Sequence, residues 1–192
     1  MKNKTRRSFL YPLALSAMLT AAAITGLAQS PSVVTRPASQ AVPQGGTASF
    51  TISTSGALPI TYTWRWYKNN QPSILYYQEA LDSTNCTIVL TNLQPSDAGF
   101  FNIDIQNSSG FGPGSQVALG VISSGMETNG FALTVYGLTN SVWTVNCTTN
   151  LAQSDWFTLT NFSIPHNPRF VKFVDLEATN LNRFYQVIPF VE

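Results

Sequence analysis

The residues able to do chemistry are few and far apart. The chain has 1 histidine, His166, set in a loop between Pro165 and Pro168. A metal centre or a proton relay needs partners at short spacing. Here no second histidine exists, and no cysteine or carboxylate stands at ligand spacing, so His166 reads as an exposed loop residue. No serine sits in a nucleophile-elbow motif, and no pair of acidic residues frames a cleft motif. No catalytic residue, metal ligand or cofactor is assigned, and the chain is read as not an enzyme. What remains is recognition chemistry. Tyr67, Tyr76 and Tyr77 supply amphipathic rings that can stack on sugar faces or on a protein partner, and they are the candidate ligand-binding residues.

The elements that position these residues are strands. The stretch Leu93 to Gly110 opens on a tight corner at Asp97-Ala98-Gly99. Strict alternation follows, with Phe101, Ile103 and Ile105 on one face and Asn102, Asp104 and Gln106 on the other, which predicts a half-buried strand. Ala48, Phe50 and Ile52 alternate in the same way, as do Cys86, Ile88 and Leu90. In Ile60 to Asn70 the alternation places Tyr62, Trp64 and Trp66 together, with Trp66 near the sheet's edge and Tyr67 pointing outward. Ile74 to Tyr77 reads as a short aromatic edge strand, in which only one of Tyr76 and Tyr77 shares the face of Tyr67. Pro31 to Pro43 is an extended leader that its prolines confine to an edge, split in two. Strand Gln116 to Val121 ends this unit, and the polar run Ile122 to Asn129 reads as a linker.

Asp97, Gly99, Phe101 and Ile103 resemble the D-x-G-x-Y-x-C corner and strand of an immunoglobulin-like domain. Phe101 stands where the family has a tyrosine, and Ile103 and Ile52 where it has its two cysteines. Trp64, twelve residues after Ile52, takes the place of the core tryptophan. The resemblance, of the cysteine-free, I-set-like type found in secreted bacterial proteins, covers residues 31–122 and implies a sandwich whose structural core includes Ile52, Trp64, Phe101 and Ile103. It is silent about function.

A second unit is expected at 130–192. Phe131, Leu133 and Val135 alternate, then Trp143, Val145 and Cys147. Val145 to Leu151, Trp156 and Arg183 to Val187 resemble a short carboxy-terminal β module of secreted environmental-bacterial proteins, which carries no settled activity. The fold class is therefore all-β: an immunoglobulin-like antiparallel β-sandwich followed by a small antiparallel β module. Cys86 and Cys147 both take inward parity, in separate units, and read as buried thiols. An interdomain disulfide is the alternative.

Residues 1–28 read as an export leader. Lys2, Lys4, Arg6 and Arg7 precede an apolar run, and Gly26-Leu27-Ala28 is a small-x-small cleavage site that would leave Gln29 first. Thr5 to Leu10 also resembles a twin-arginine motif, so the general and twin-arginine routes both stand. Without the leader, six basic face nine acidic residues. A nucleic-acid partner is thus disfavoured, and no membrane span is expected. The chain is read as an exported binding or adhesion protein in the periplasm, at the cell surface or secreted, whose partner is a protein or polysaccharide at the cell surface. The alternative is a structural spacer of the envelope or extracellular matrix.

Overall fold

The computed structural model describes residues 29–68, 72–153, 155–178 and 182–189. The leader assigned to 1–28, the end of the Ile60 to Asn70 segment and the end of the unit expected at 130–192 lie outside the described residues.

The described chain is strand after strand, without an α-helix. The strands are β1 (Ser32–Thr35), β2 (Gln40–Pro43), β3 (Ala48–Ser55), β4 (Ile60–Lys68), β5 (Ile74–Leu81), β6 (Asn85–Leu90) and β7 (Gly99–Asn107). They continue as β8 (Gly110–Phe111), β9 (Ser115–Glu127), β10 (Gly130–Tyr136), β11 (Val142–Thr148), β12 (Phe157–Ser163), β13 (Phe170–Asp175) and β14 (Phe184–Pro189). A single turn of 3-10 helix, Pro95–Asp97, precedes β7.

Three sheets result: β1-β3-β6, a large sheet ordered β13-β10-β9-β7-β4-β5, and β12-β11-β14. The pairings are antiparallel except that β2 lies parallel to β9. The proline-rich leader is thus split as its composition predicts, β1 joining β3 and β2 joining β9.

The first core fills the space between β1-β3-β6 and the β9-β7-β4-β5 part of the large sheet. Its buried members include Phe50, Ile52, Trp64, Cys86, Phe101, Ile103 and Ile105. Ile52 and Ile103 stand on the facing sheets at 0 % and 1 % exposure, with no covalent link between the layers. Each such side chain contributes about 1.5–3 kcal/mol by burial. The Trp64 indole N–H donates to the Cys86 Sγ at 3.3 Å, and its ring meets Phe101 edge-on at 6.0 Å. Trp66, expected near the edge, is also buried, stacked on Phe101 at 5.0 Å.

The linker expected at Ile122 to Asn129 is not one. β9 runs unbroken to Glu127 and turns through Thr128 and Asn129 into β10, with which it pairs from Val121 to Glu127. These residues are polar because much of the hairpin faces water, not because the chain leaves the sheet. β9 therefore serves two cores. Val117, Leu119 and Val121 enter the first, while Ala118 and Ile122 pack against a second built from Leu133, Val135, Trp143, Val145, Ile164 and Val187. The third sheet covers the opposite face of the large sheet from the one that β1-β3-β6 covers.

Candidate binding surfaces

Asp97 builds the corner before β7. Its Oδ2 accepts from the Gln94 N–H at 2.9 Å and its Oδ1 from the Lys68 ammonium at 2.7 Å. The same ammonium lies 4.2 Å from the Trp66 ring centre. Phe101 lacks the hydroxyl of a tyrosine corner, and this ion pair with its cation–π contact pins the corner instead.

From that corner β7 carries Phe100 outward, directly across from Tyr67 on β4. The two rings are stacked at 4.6 Å and 4°. Both are half-buried. Around them on the same outer face lie Leu75, 54 % exposed and paired with Arg65, and the neighbours Asn102 and Gln116, whose amides are joined at 3.0 Å. Arg65 and Asp104 approach to 3.9 Å with both side chains about half exposed, a contact that contributes about 0–1 kcal/mol. Ala118, across from Phe100, is where the second core begins, so the ring pair sits beside the junction of the two cores.

Tyr76 and Tyr77 are elsewhere. A bulge in β5 lets Tyr77 pair with Trp64 and Leu75 with Arg65, leaving Tyr76 as the extra residue. The Tyr76 ring meets Trp66 and Phe101 edge-on at 5.5 and 5.6 Å, and its hydroxyl donates to the Val89 carbonyl at 3.2 Å. It closes the end of the sandwich. Tyr77 packs against the first core and donates to Glu79 Oε2 at 2.7 Å. That hydrogen bond holds its phenol neutral, pushing its pKa up to about 12. The three tyrosines do not form one strip: Tyr67 faces outward and the other two lean to the inner side. Phe100, the ring that does accompany Tyr67, was legible in the alternation of β7, since it precedes Asn102 and Asp104 on the polar face.

The second unit holds a polar cluster that sequence reading did not assemble. Asp175, 4 % exposed, accepts at Oδ2 from Arg183 Nη1 at 2.7 Å and from the Tyr185 hydroxyl at 2.8 Å. Its Oδ1 accepts from the Glu177 N–H at 3.0 Å. Arg183 Nη2 donates to Glu177 Oε2 at 2.9 Å. Burial first, then the bond to Asp175, raise the pKa of Tyr185 above the ordinary tyrosine value. Burial likewise raises Cys147. Arg183 and Tyr185 come from the R-F-Y-x-V segment, and their partner Asp175 lies 8 and 10 residues earlier, with no spacing that marks it. Arg183 is shared by two carboxylates, the buried Asp175 and the solvent-facing Glu177, so the buried pair is neutral and the excess negative charge lies in water, which is the arrangement of a structural plug.

His166 lies on an exposed bend. Among the described residues no group of three or more His, Cys, Asp or Glu is placed to hold a metal, and no helix is long and apolar enough to cross a membrane. Cys86 and Cys147 are free and buried.

Residues 30–107 match the model of the immunoglobulin domain family. The first unit is an immunoglobulin-like domain. Solved structures similar to this domain include titin domain M7, at 20 % identity over 50 % of this chain and 98 % of that one, with a TM-score of 0.42. Titin domain M3 is similar at 23 % identity over 48 % and 97 %, with a TM-score of 0.40. Sidekick-1 immunoglobulin domains 1–5 are similar at 22 % identity over 49 % and 20 %, with a TM-score of 0.38. The comparison with curated proteins returned no match. Immunoglobulin-like domains are generally non-catalytic and serve binding or structural roles.

Proposed function

We propose that the chain is an exported, non-catalytic binding protein that takes a protein or polysaccharide at the cell surface. The immunoglobulin-like domain at 31–122 presents the binding face, and the unit at 130–192 supports it from the shared strand β9. The observation that carries this reading is the Tyr67–Phe100 stack, half-buried on the one face of β4 and β7 that neither small sheet covers. The stacked pair makes an apolar ridge on that face, and Leu75, Arg65 and Asn102 around it supply a rim of mixed polarity. Tyr76 and Tyr77, engaged by the core, by Val89 and by Glu79, contribute cover rather than contact. The edge of β5 is blunted by its bulge and by Glu79, so strand addition there is disfavoured.

The test is a glycan array, together with binding to intact cells and matrix material, using chain that begins at Gln29. Tyr67→Ala with Phe100→Ala is expected to weaken retention at least about tenfold while the circular-dichroism spectrum and unfolding midpoint persist. A folded double variant that binds like the parent removes this face from consideration.

A second reading, a spacer of the envelope or matrix, is supported by the unbroken strand β9, which joins two cores without a flexible segment. Self-assembly of the purified chain with no retained ligand would favour it.

A further inference from the structure

We infer that the outer face of β4 and β7 binds an extended, uncharged polysaccharide laid along the strands, with aromatic rings holding it at both ends. The inference rests on the binding reading above, and it goes further by choosing between the two ligand classes that the reading leaves open.

The observation is a third ring on this face. Residues directly opposite each other on paired strands send their side chains to one side of the sheet. Tyr67 stands opposite Phe100, Arg65 opposite Asn102 and Thr61 opposite Gln106. Gln106 also pairs with Phe111 on β8, which puts the Phe111 ring on the face that carries Tyr67 and Phe100. Phe111 is 78 % exposed and packs into neither core. The pairing of β4 with β7 runs from Phe100 to Gln106 without a bulge. Six residues of extended chain separate the stacked pair from the row of Phe111, which is about 20 Å along the strands.

The large apolar groups therefore stand at the margins: the Tyr67–Phe100 ridge at one end, Phe111 at the other and Leu75 on the β5 side. The middle is polar. Asn102 and Gln116 join their amides at 3.0 Å, and Arg65 approaches Asp104 at 3.9 Å. A protein-binding patch is built the other way, with an apolar, charge-poor centre and a polar rim. A polysaccharide fits the layout found here. Its hydroxyls can both donate to and accept from amides, a carboxylate and a guanidinium, while its C–H faces lie against rings. Charge selects further within this class. The charge of Arg65 is offset by Asp104 beside it, and the other members of these rows are uncharged. A charged polymer thus finds no net field on this face, and an uncharged one loses nothing by it.

The experiment is affinity electrophoresis of the chain used in the test above. Native gels hold hydroxyethyl cellulose, galactomannan or xyloglucan, all uncharged, or the anionic carboxymethyl cellulose. At least one uncharged polymer is expected to retard the chain, and carboxymethyl cellulose is expected to retard it no more than hydroxyethyl cellulose does. Phe111→Ser, at an exposed site outside both cores, is expected to weaken that retardation about tenfold, because a chain held at two ends loses one of them. No retardation of the parent by any uncharged polymer overturns the inference, and so does equal retardation of Phe111→Ser. Binding to cells that needs Tyr67 and Phe100 but is abolished by protease treatment of the cells, with no polymer retarding the chain, makes the ligand a protein: this inference then falls while the binding reading stands. If Tyr67→Ala with Phe100→Ala alters binding to neither cells nor polymers, both fall.

Discussion

The indole of Trp143 lies over Gly120. A Cβ added at position 120 would stand 3.3 Å from Cζ2 and Cη2 of that ring and 3.2 Å from the Cβ of Ala41. The central strand of the large sheet leaves out one side chain so that the second core's largest residue can seat on its backbone.

Gly120→Ala is therefore expected to destabilise the protein by about 1–3 kcal/mol, the usual cost of overpacking, despite the lower entropy of an unfolded chain with one glycine fewer. Urea unfolding checks it. An unchanged or raised midpoint would mean that the indole slides aside freely.

Ile103→Ala is expected to cost about 2–5 kcal/mol, as buried isoleucines do. Ile103 is 1 % exposed and lies where an intersheet disulfide would otherwise anchor β7, so contact alone holds the layers there. A loss near zero in the same assay would contradict its place in the first core.

The Asp175 cluster predicts a response to alkali. The Tyr185 phenol has a raised pKa in the folded chain, so its stabilising effect is complete below the ordinary tyrosine value of 10.0 and is lost as pH rises beyond it. Between those limits the folded state keeps a proton that the unfolded state gives up. Tyr185→Phe should flatten the fall in unfolding free energy above pH 10 by up to about 1.4 kcal/mol per pH unit. An identical slope in the variant would place the alkaline sensitivity elsewhere. Asp175→Ala, which leaves Arg183 only the exposed Glu177 and takes the acceptor from the Tyr185 hydroxyl, is expected to cost about 1–3 kcal/mol at neutral pH.

Cys86 and Cys147 are each buried, at 2 % and 0 % exposure, and burial raises both thiol pKa values. Neither should react with a thiol reagent until the protein unfolds, when both should. A Cys86–Cys147 peptide in non-reduced digests would contradict the free state of both.

Strand alternation carried much of the fold into view. Phe101, Ile103 and Ile105 announce their face because period two needs no knowledge of partners. The continuation of β9 was hidden because polar residues in a half-solvated hairpin have the composition of a linker. That one of Tyr76 and Tyr77 shares the face of Tyr67 is the expectation of unbroken alternation, and β5 is not unbroken. The bulge in β5 shifts parity by one residue, and a bulge depends on the register with β4, not on the sequence of β5 alone. Phe100 and Asp175 were missed as partners because their contacts join strands that are distant in sequence, which no local pattern encodes.

The shared strand bears on what can be moved between proteins. Immunoglobulin-like domains joined by hinges can be shuffled singly, each cut yielding two finished surfaces. A graft of residues 31–122 from this chain would end within β9 and strip Ala118, Gly120 and Ile122 of the layer that covers them. The smallest transplantable piece, for a designer or for recombination, therefore includes the third sheet and reaches at least to Pro189.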